Sequence, residues 1–264
     1  MEQTNSILKL FYWSIRFGFI LIFSVFLGIA GLGTHIRAGE ITVERVCGSN
    51  TFRFTILGYR DTGSPDNVQF GGGYFDFGDG SDPIQIPEGQ FTAAFLGNEV
   101  ERNVYTLEYT YANTGTFTVS YLEPNRNDGI LNIDNSVNTT FYIETKIVTD
   151  NLLGCNNSPQ LLIPPIDEGC TQVAFYHNPG AYDPDGDSLS YEFTTPKQDR
   201  NVNVANYRDP NTSEFYAGDY SKGDETGSKR PTFTINGFTG EVKWDAPGAE
   251  GEYNFIAEDG NCSD

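Results

Sequence analysis

Ala181-Tyr182-Asp183-Pro184-Asp185-Gly186-Asp187-Ser188-Leu189-Ser190-Tyr191-Glu192-Phe193 decides how this chain is read. Its second half alternates, with Leu189, Tyr191 and Phe193 on one side and Ser190 and Glu192 on the other. That period of two is the mark of a half-buried β-strand. Its first half sets carboxylates at alternate positions, Asp183, Asp185 and Asp187, with Gly186 for the bend. Anions that close repel one another unless a cation joins them, and hard divalent ions take oxygen ligands from such loops. The loop therefore nominates calcium, while a plain turn accounts for the same residues because Asp, Pro and Gly each favour turns. An EF-hand is excluded: the twelfth position counted from Asp183 is Thr194, where that motif needs a bidentate Glu.

The alternation recurs through the chain. Phe52, Phe54 and Ile56 oppose Arg53, Thr55 and Leu57; Leu107, Tyr109 and Tyr111 oppose Thr106, Glu108 and Thr110; Phe117, Val119 and Tyr121 repeat the pattern after the turn Asn113-Thr114-Gly115. Between them, Tyr74-Phe75-Asp76-Phe77 is a short strand that runs into the turn Gly78-Asp79-Gly80. Gly71-Gly72-Gly73 precedes a strand and has no following Lys and helix, so it is no phosphate loop. Past the leader no segment has helical periodicity, and short strands with tight turns and aromatic inward faces predict an all-β chain of stacked sandwiches.

The chain has 264 residues, and it opens with Lys9 and Arg16 followed by an uncharged run from Phe17 to Gly33. A basic start, an apolar run and the small residues Gly31 and Gly33 read as a secretory signal peptide over 1–33, cleaved before Thr34. An uncleaved anchor is the competing reading, since the run approaches bilayer length. Either places the rest outside the cytoplasm. The formal charge is -20, and removing 1–33 takes away Lys9, Arg16 and Glu2, which leaves the remainder more acidic still. With no basic stripe to meet phosphates, a nucleic-acid partner is not expected.

Four cysteines in an exported chain permit disulfides. Cys155 and Cys170 bracket a Pro-rich stretch with Pro159, Pro164 and Pro165. A bridge closing a loop of that size would stabilise by about 3 kcal/mol, so this pair is expected first. The state of Cys47 and Cys262 is left open. The resulting organisation is a signal peptide (1–33), a first sandwich (34–150), a connector (151–170) that prolines keep out of regular pairing, and a second sandwich (171–264). Within the last, the polar stretch 199–230 lacks periodicity and reads as an excursion from the sheets.

Two family resemblances rest on these residues. Phe75-Asp76-Phe77-Gly78-Asp79-Gly80, with Tyr109-Thr110-Tyr111-Ala112-Asn113-Thr114-Gly115-Thr116-Phe117-Thr118-Val119 downstream, resembles the PKD domain, with Phe75 in place of its usual Trp and Phe117 in place of Tyr. Tyr182-Asp183-Pro184-Asp185-Gly186-Asp187, Thr239-Gly240-Glu241-Val242 and Gly251-Glu252-Tyr253 leading to Ala257-Glu258-Asp259-Gly260 resemble cadherin-like, Ig-like modules of bacterial surface proteins. The mature start, Thr34 to Ile41, with Tyr59-Arg60-Asp61 and Asn132 to Ser136, resembles exported surface proteins of gliding Bacteroidetes, of the gliding motility-associated type. The cadherin-like resemblance implies a calcium site at Asp183, Asp185, Asp187 and Asp259, although the D-x-N-D-N linker of that family is missing. Surface proteins of this type usually continue past such modules, so the second module is expected to be cut short at Asp264.

No catalytic motif occurs: there is no G-x-S-x-G, no H-E-x-x-H, and His35 and His177 stand far apart. The expectation is a non-catalytic protein of the cell surface or the medium, structural or adhesive, with a surface protein or polysaccharide as partner. Its alternative is an accessory polysaccharide-binding module, whose candidate surface is Tyr207, Phe215, Tyr216 and Tyr220. Trp244 alternates with Val242 and is expected in a core instead.

Overall fold

The computed structural model describes residues 36–63, 69–150, 154–165, 168–215, 232–245, 247–249 and 251–253, and the backbone of 256–261. The chain is all-β, built from antiparallel pairs. The first two strands are β1 (Ile36–Arg45) and β2 (Thr51–Asp61), followed by the short β3 (Tyr74–Asp76) and β4 (Ile84–Gln85). After them come β5 (Thr92–Gly97), β6 (Val100–Thr110), β7 (Thr116–Glu123) and β8 (Phe141–Val148). They form two four-stranded sheets in the orders β1-β2-β6-β5 and β4-β3-β7-β8.

The alternation read from the sequence decides which side chains lie between the sheets. Phe52, Phe54 and Ile56 of β2 are buried, as are Phe75 of β3 and Val119 and Tyr121 of β7, with Tyr105, Leu107 and Tyr109 of β6 packed against them. Phe54 meets Phe75 at 5.5 Å between ring centroids across the gap. The register Phe54↔Leu107 and Phe75↔Tyr121 keeps every one of these residues on the inner face. A one-residue slip would turn them all outward.

The Gly-Asp-Gly turn is made by its own side chains. The Asp76 carboxylate accepts the Gly78 N–H at 2.7 Å, and Asp79 accepts the Ser81 N–H at 3.0 Å and the Tyr109 hydroxyl at 2.8 Å. Gly78 has φ +79°, and a Cβ there would sit 2.2 Å from the Thr118 carbonyl oxygen. Only glycine fits both the backbone sign and the space.

The remaining strands are short: β9 (Phe175–His177), β10 (Leu189–Thr194), β11 (Lys197–Asp199), β12 (Val202–Asn203), β13 (Phe233–Ile235), β14 (Val242–Trp244) and β15 (Ile256–Asn261). They make one three-stranded sheet, β13-β14-β9, the long-range pair β10-β15 and the hairpin pair β11-β12. Phe233, Val242 and Trp244 form their core, with Phe193 stacked on Phe233 at 4.5 Å. Within the stretch 199–230, β12 and a 3₁₀ turn at Ser213–Phe215 supply local order, and 216–231 lie outside the described residues.

This second group of strands is anchored directly on the first. Arg126, 2 % exposed, donates to the carbonyls of Thr140 (3.1 Å) and Lys197 (2.9 Å). Arg200 reaches the Thr118 carbonyl at 3.0 Å and Asp76 at 3.0 Å, and Lys197 pairs with Glu144. An Ile133↔Tyr207 bridge and a bond from the Leu131 N–H to the Glu252 carbonyl (2.9 Å) continue the seam. Burial lowers the Arg126 pKa to about 10, but its carbonyl partners match the fork of the guanidinium.

Candidate functional site

The acidic loop ends up as a strut between the two groups of strands. Asp183, 6 % exposed, turns Oδ1 back onto its own loop, where it accepts the N–H groups of Asp185 (2.8 Å) and Asp187 (3.1 Å). Gly186 takes φ +87° to allow that turn. Asp185 is exposed and points away, its two oxygens accepting the backbone N–H (2.6 Å) and side-chain amide (3.1 Å) of Asn157. The three carboxylates are thus divided between tasks. Among the described residues no three acidic, Cys or His groups converge as a metal cage. One atom does fit a cation: Asp183 Oδ2 is buried and accepts no hydrogen bond. Such an orphan costs about 1–3 kcal/mol. Asp259 stands opposite Tyr191 in the β10–β15 ladder, four residues along from the level of Asp187, about 13 Å at the rise of a strand.

Asn157 carries the strut onward. Its Oδ1 accepts the Arg45 N–H at 2.9 Å, while Ser158 and Val43 exchange two bonds: Ser158 N–H to the Val43 carbonyl at 2.8 Å, and Val43 N–H to Ser158 Oγ at 2.7 Å. Residues 157 and 158 therefore run along the free edge of β1. Gln160 then bridges Tyr182, beside the acidic loop. Prolines leave the connector without a continuous strand but do not keep it off the sheet.

That path corrects the expected disulfide. Cys155 bonds to Cys47, with Cα atoms 5.3 Å apart, and Cys170 is a free, exposed thiol. Cys47 follows β1, and the anchoring of 157 and 158 on that strand brings Cys155 beside it. Nearness in sequence favoured the pair Cys155 and Cys170, whereas strand-edge pairing across 108 residues fixed the actual partner. Cys262 lies outside the described residues. Arg45 closes the same corner: its guanidinium donates to the Asp150 (2.6 Å) and Gly154 (2.9 Å) carbonyls and lies 5.6 Å from the centre of the Phe52 ring.

The aromatic candidates are differently placed. Phe215, 4 % exposed, packs edge-on against Tyr253 at 5.3 Å with the Arg208 guanidinium on its other side, so it offers no face to a ligand. Tyr207 is half-buried against Ile130, Ile133 and Val204, and burial, with Asp209 nearby, pushes its hydroxyl pKa up to about 12. Tyr216 and Tyr220 lie outside the described residues. Trp244 is a core residue, 6 % exposed.

Two groups that the sequence did not signal as a site stand at the other end of the two four-stranded sheets. Glu123 is fully buried, accepting the Tyr121 hydroxyl at 2.6 Å and the Gly71 N–H at 3.0 Å; burial outweighs both bonds and raises its pKa to about 7. Nearby, a cleft of about 220 Å³ is lined by Arg60, Gln69, Phe70, Phe91, Glu101 and Asn103. Its signal in the sequence is a break in pattern: the inward series of β2 and β6 turns from Phe and Tyr to Arg60, Glu101 and Asn103. Compared with protein-family models, with curated proteins and with solved structures, the chain has no match.

Proposed function

We propose that this chain is an exported, non-catalytic protein that works as a rigid contact element at the cell surface or in the medium. The observation that carries this reading is the clasp at the connector. Cys47–Cys155, the Val43–Ser158 pair and the Asn157–Asp185 bonds bind three distant stretches into one corner. A bridge of that kind survives in an oxidising compartment and is reduced in the cytosol. The basic-then-apolar leader, the acid-rich remainder and the resemblance to PKD-like and cadherin-like surface modules support the same direction. So does the placement of Glu123, whose pKa burial raises to about 7: it is sealed from solvent, out of reach of a substrate.

Calcium enters through Asp183 Oδ2, the buried oxygen that a cation would satisfy; of the other acids the resemblance nominates, Asp187 is next to it in the loop, Asp185 is engaged by Asn157 and Asp259 pairs further along the ladder. Its contribution would be stiffness at the strut, not chemistry. The test is export itself. Expressed with its own leader in a diderm bacterium, the protein should leave the cytoplasm with residues 1–33 removed or embedded, carrying a 47–155 disulfide. A reduced protein confined to the cytoplasm would overturn the reading.

A further inference from the structure

We infer that the cleft at the open end of the first sandwich, between the β2–β6–β5 sheet and the 69–91 segment, binds one neutral sugar ring. The inference deepens the adhesive reading by naming a ligand for it, and takes from that reading only the source of the glycan.

The cleft begins where the core should continue. Arg60, Glu101 and Asn103 occupy inward positions in register with the core residues Ile56 and Tyr105, and Arg60 and Asn103 are 8 % and 4 % exposed. A sheet end that only needed sealing would carry aliphatic side chains there. Arg60 Nε instead donates to the Glu101 carboxylate at 2.7 Å, which holds that carboxyl below the usual range, and the Asn103 amide donates to the Glu101 backbone carbonyl at 3.4 Å. The chain fixes three planar polar groups before any ligand arrives.

An aromatic wall faces them. Gly58, directly opposite Asn103 in the ladder, has no side chain, and the Phe70 ring fills that space: a Cβ on Gly58 would lie 2.0 Å from Phe70 Cε2. Phe70 supports Phe91 edge-on at 4.6 Å, and half-buried Phe91 lines the cleft with exposed Gln69.

The lining selects the ligand class. Arg60 is paired with Glu101, so the lining holds no net charge to select an anion or a cation. Amide, carboxylate and guanidinium edges together offer both donors and acceptors, which hydroxyls match and apolar ligands do not. The half-buried Phe91 ring, braced from behind by the buried Phe70, complements an apolar C–H surface. A pyranose presents hydroxyls on its edge and C–H groups on its face. The volume, below the roughly 300 Å³ at which drug-sized pockets begin, admits one ring.

One ring held this way should bind with Kd on the order of 1–10 mM, given the modest efficiency of polar ligands. The experiment titrates the full chain, labelled for observation of side-chain amides by NMR, with glucose, galactose, mannose and N-acetylglucosamine as free monosaccharides. At least one should shift the Gln69 and Asn103 amide signals saturably. Gln69→Ala, at an exposed position, should weaken that sugar at least tenfold, and Ala93→Trp, exposed on β5 opposite Asn103, should abolish binding by filling the mouth. Tyr176→Ala, on the distant β9, should leave it unchanged. The inference is overturned if no sugar gives a saturable shift, or if binding persists in Ala93→Trp; the inward polar groups would then be only guards against sheet-end pairing. Purified protein binds regardless of where cells put it, so failure of the export reading and failure of this one are seen separately.

Discussion

Removing Cys47 and Cys155 together is the perturbation whose size the structure sets most clearly. The bond closes 108 residues of chain, and cross-linking restricts the unfolded state more as that loop grows, to about 4.7 kcal/mol for a loop near 100 residues. The folded state keeps most of its corner without the bond, because Arg45, Asn157 and Ser158 still hold the connector to β1. The loss should therefore come from the unfolded chain and fall at about 3–5 kcal/mol, a large share of the stability of an ordinary domain. The assay is urea unfolding of the oxidised protein, of Cys47→Ser/Cys155→Ser and of Cys170→Ser, followed by tryptophan fluorescence. Trp244 reports on one core, and the far-ultraviolet dichroism of the strands reports on both. The midpoint should fall for the double variant, stay within error for Cys170→Ser, and fall for the wild type only when reductant is added. Equal losses in Cys170→Ser and the double variant, or a peptide map linking residues 155 and 170, would refute the pairing and the argument from strand-edge anchoring.

Further outcomes follow from single sites. Glu123 has its pKa raised by burial from 4.5 to about 7, so the folded state favours the protonated form; its contribution is fully present below pH 4.5 and is lost as pH rises toward 7. That slope is worth about 3 kcal/mol across the window, and Glu123→Gln should flatten it when midpoints are compared between pH 5 and 8. An identical slope in the variant would show that other groups carry the pH dependence. Gly58→Val places atoms inside the Phe70 ring and should destabilise by at least about 1–3 kcal/mol, the cost of overpacking, read as a lowered unfolding midpoint. No change would mean that Phe70 does not lie against the sheet. Calcium at 1 mM should raise Tm, by about 2–4 °C for each kcal/mol of binding; Asp183→Asn, which keeps an oxygen for the Asp185 and Asp187 N–H groups, should abolish that rise. Equal calcium shifts in both proteins would remove Asp183 from any cation site.

What the sequence disclosed was local. Alternation at Phe52-Arg53-Phe54, at Leu107-Glu108-Tyr109 and at Phe117-Thr118-Val119 is written in neighbouring residues, and each strand buries the face that pattern selects. Trp244 beside Val242 was legible for the same reason. The pairing of Cys155 was not, because the energy that positions it lies in bonds between residues more than a hundred positions apart, Val43 with Ser158 and Arg45 with Asn157. Nor could spacing reveal that Asp183 would cap its own loop while Asp185 served Asn157: alternate carboxylates on an extended backbone converge, and the αL turn at Gly186 separates them. Phe215 shows the same limit from the other side, since a Phe in a polar stretch reads as exposed until Tyr253 arrives from elsewhere and Arg208 of the same stretch folds over it. The cleft left a trace, polar residues at inward positions, but its aromatic wall depends on Gly58 yielding space to a ring twelve residues away.

An exported contact element must be found outside the cytoplasm in its folded form. Antibody against the purified chain, applied to intact and to lysed cells that make it, measures this directly. Labelling of intact cells, or recovery of the antigen from their medium, with the 47–155 bond found in the labelled protein, is the predicted result. Antigen detected only after lysis, with all cysteines reduced, would contradict it.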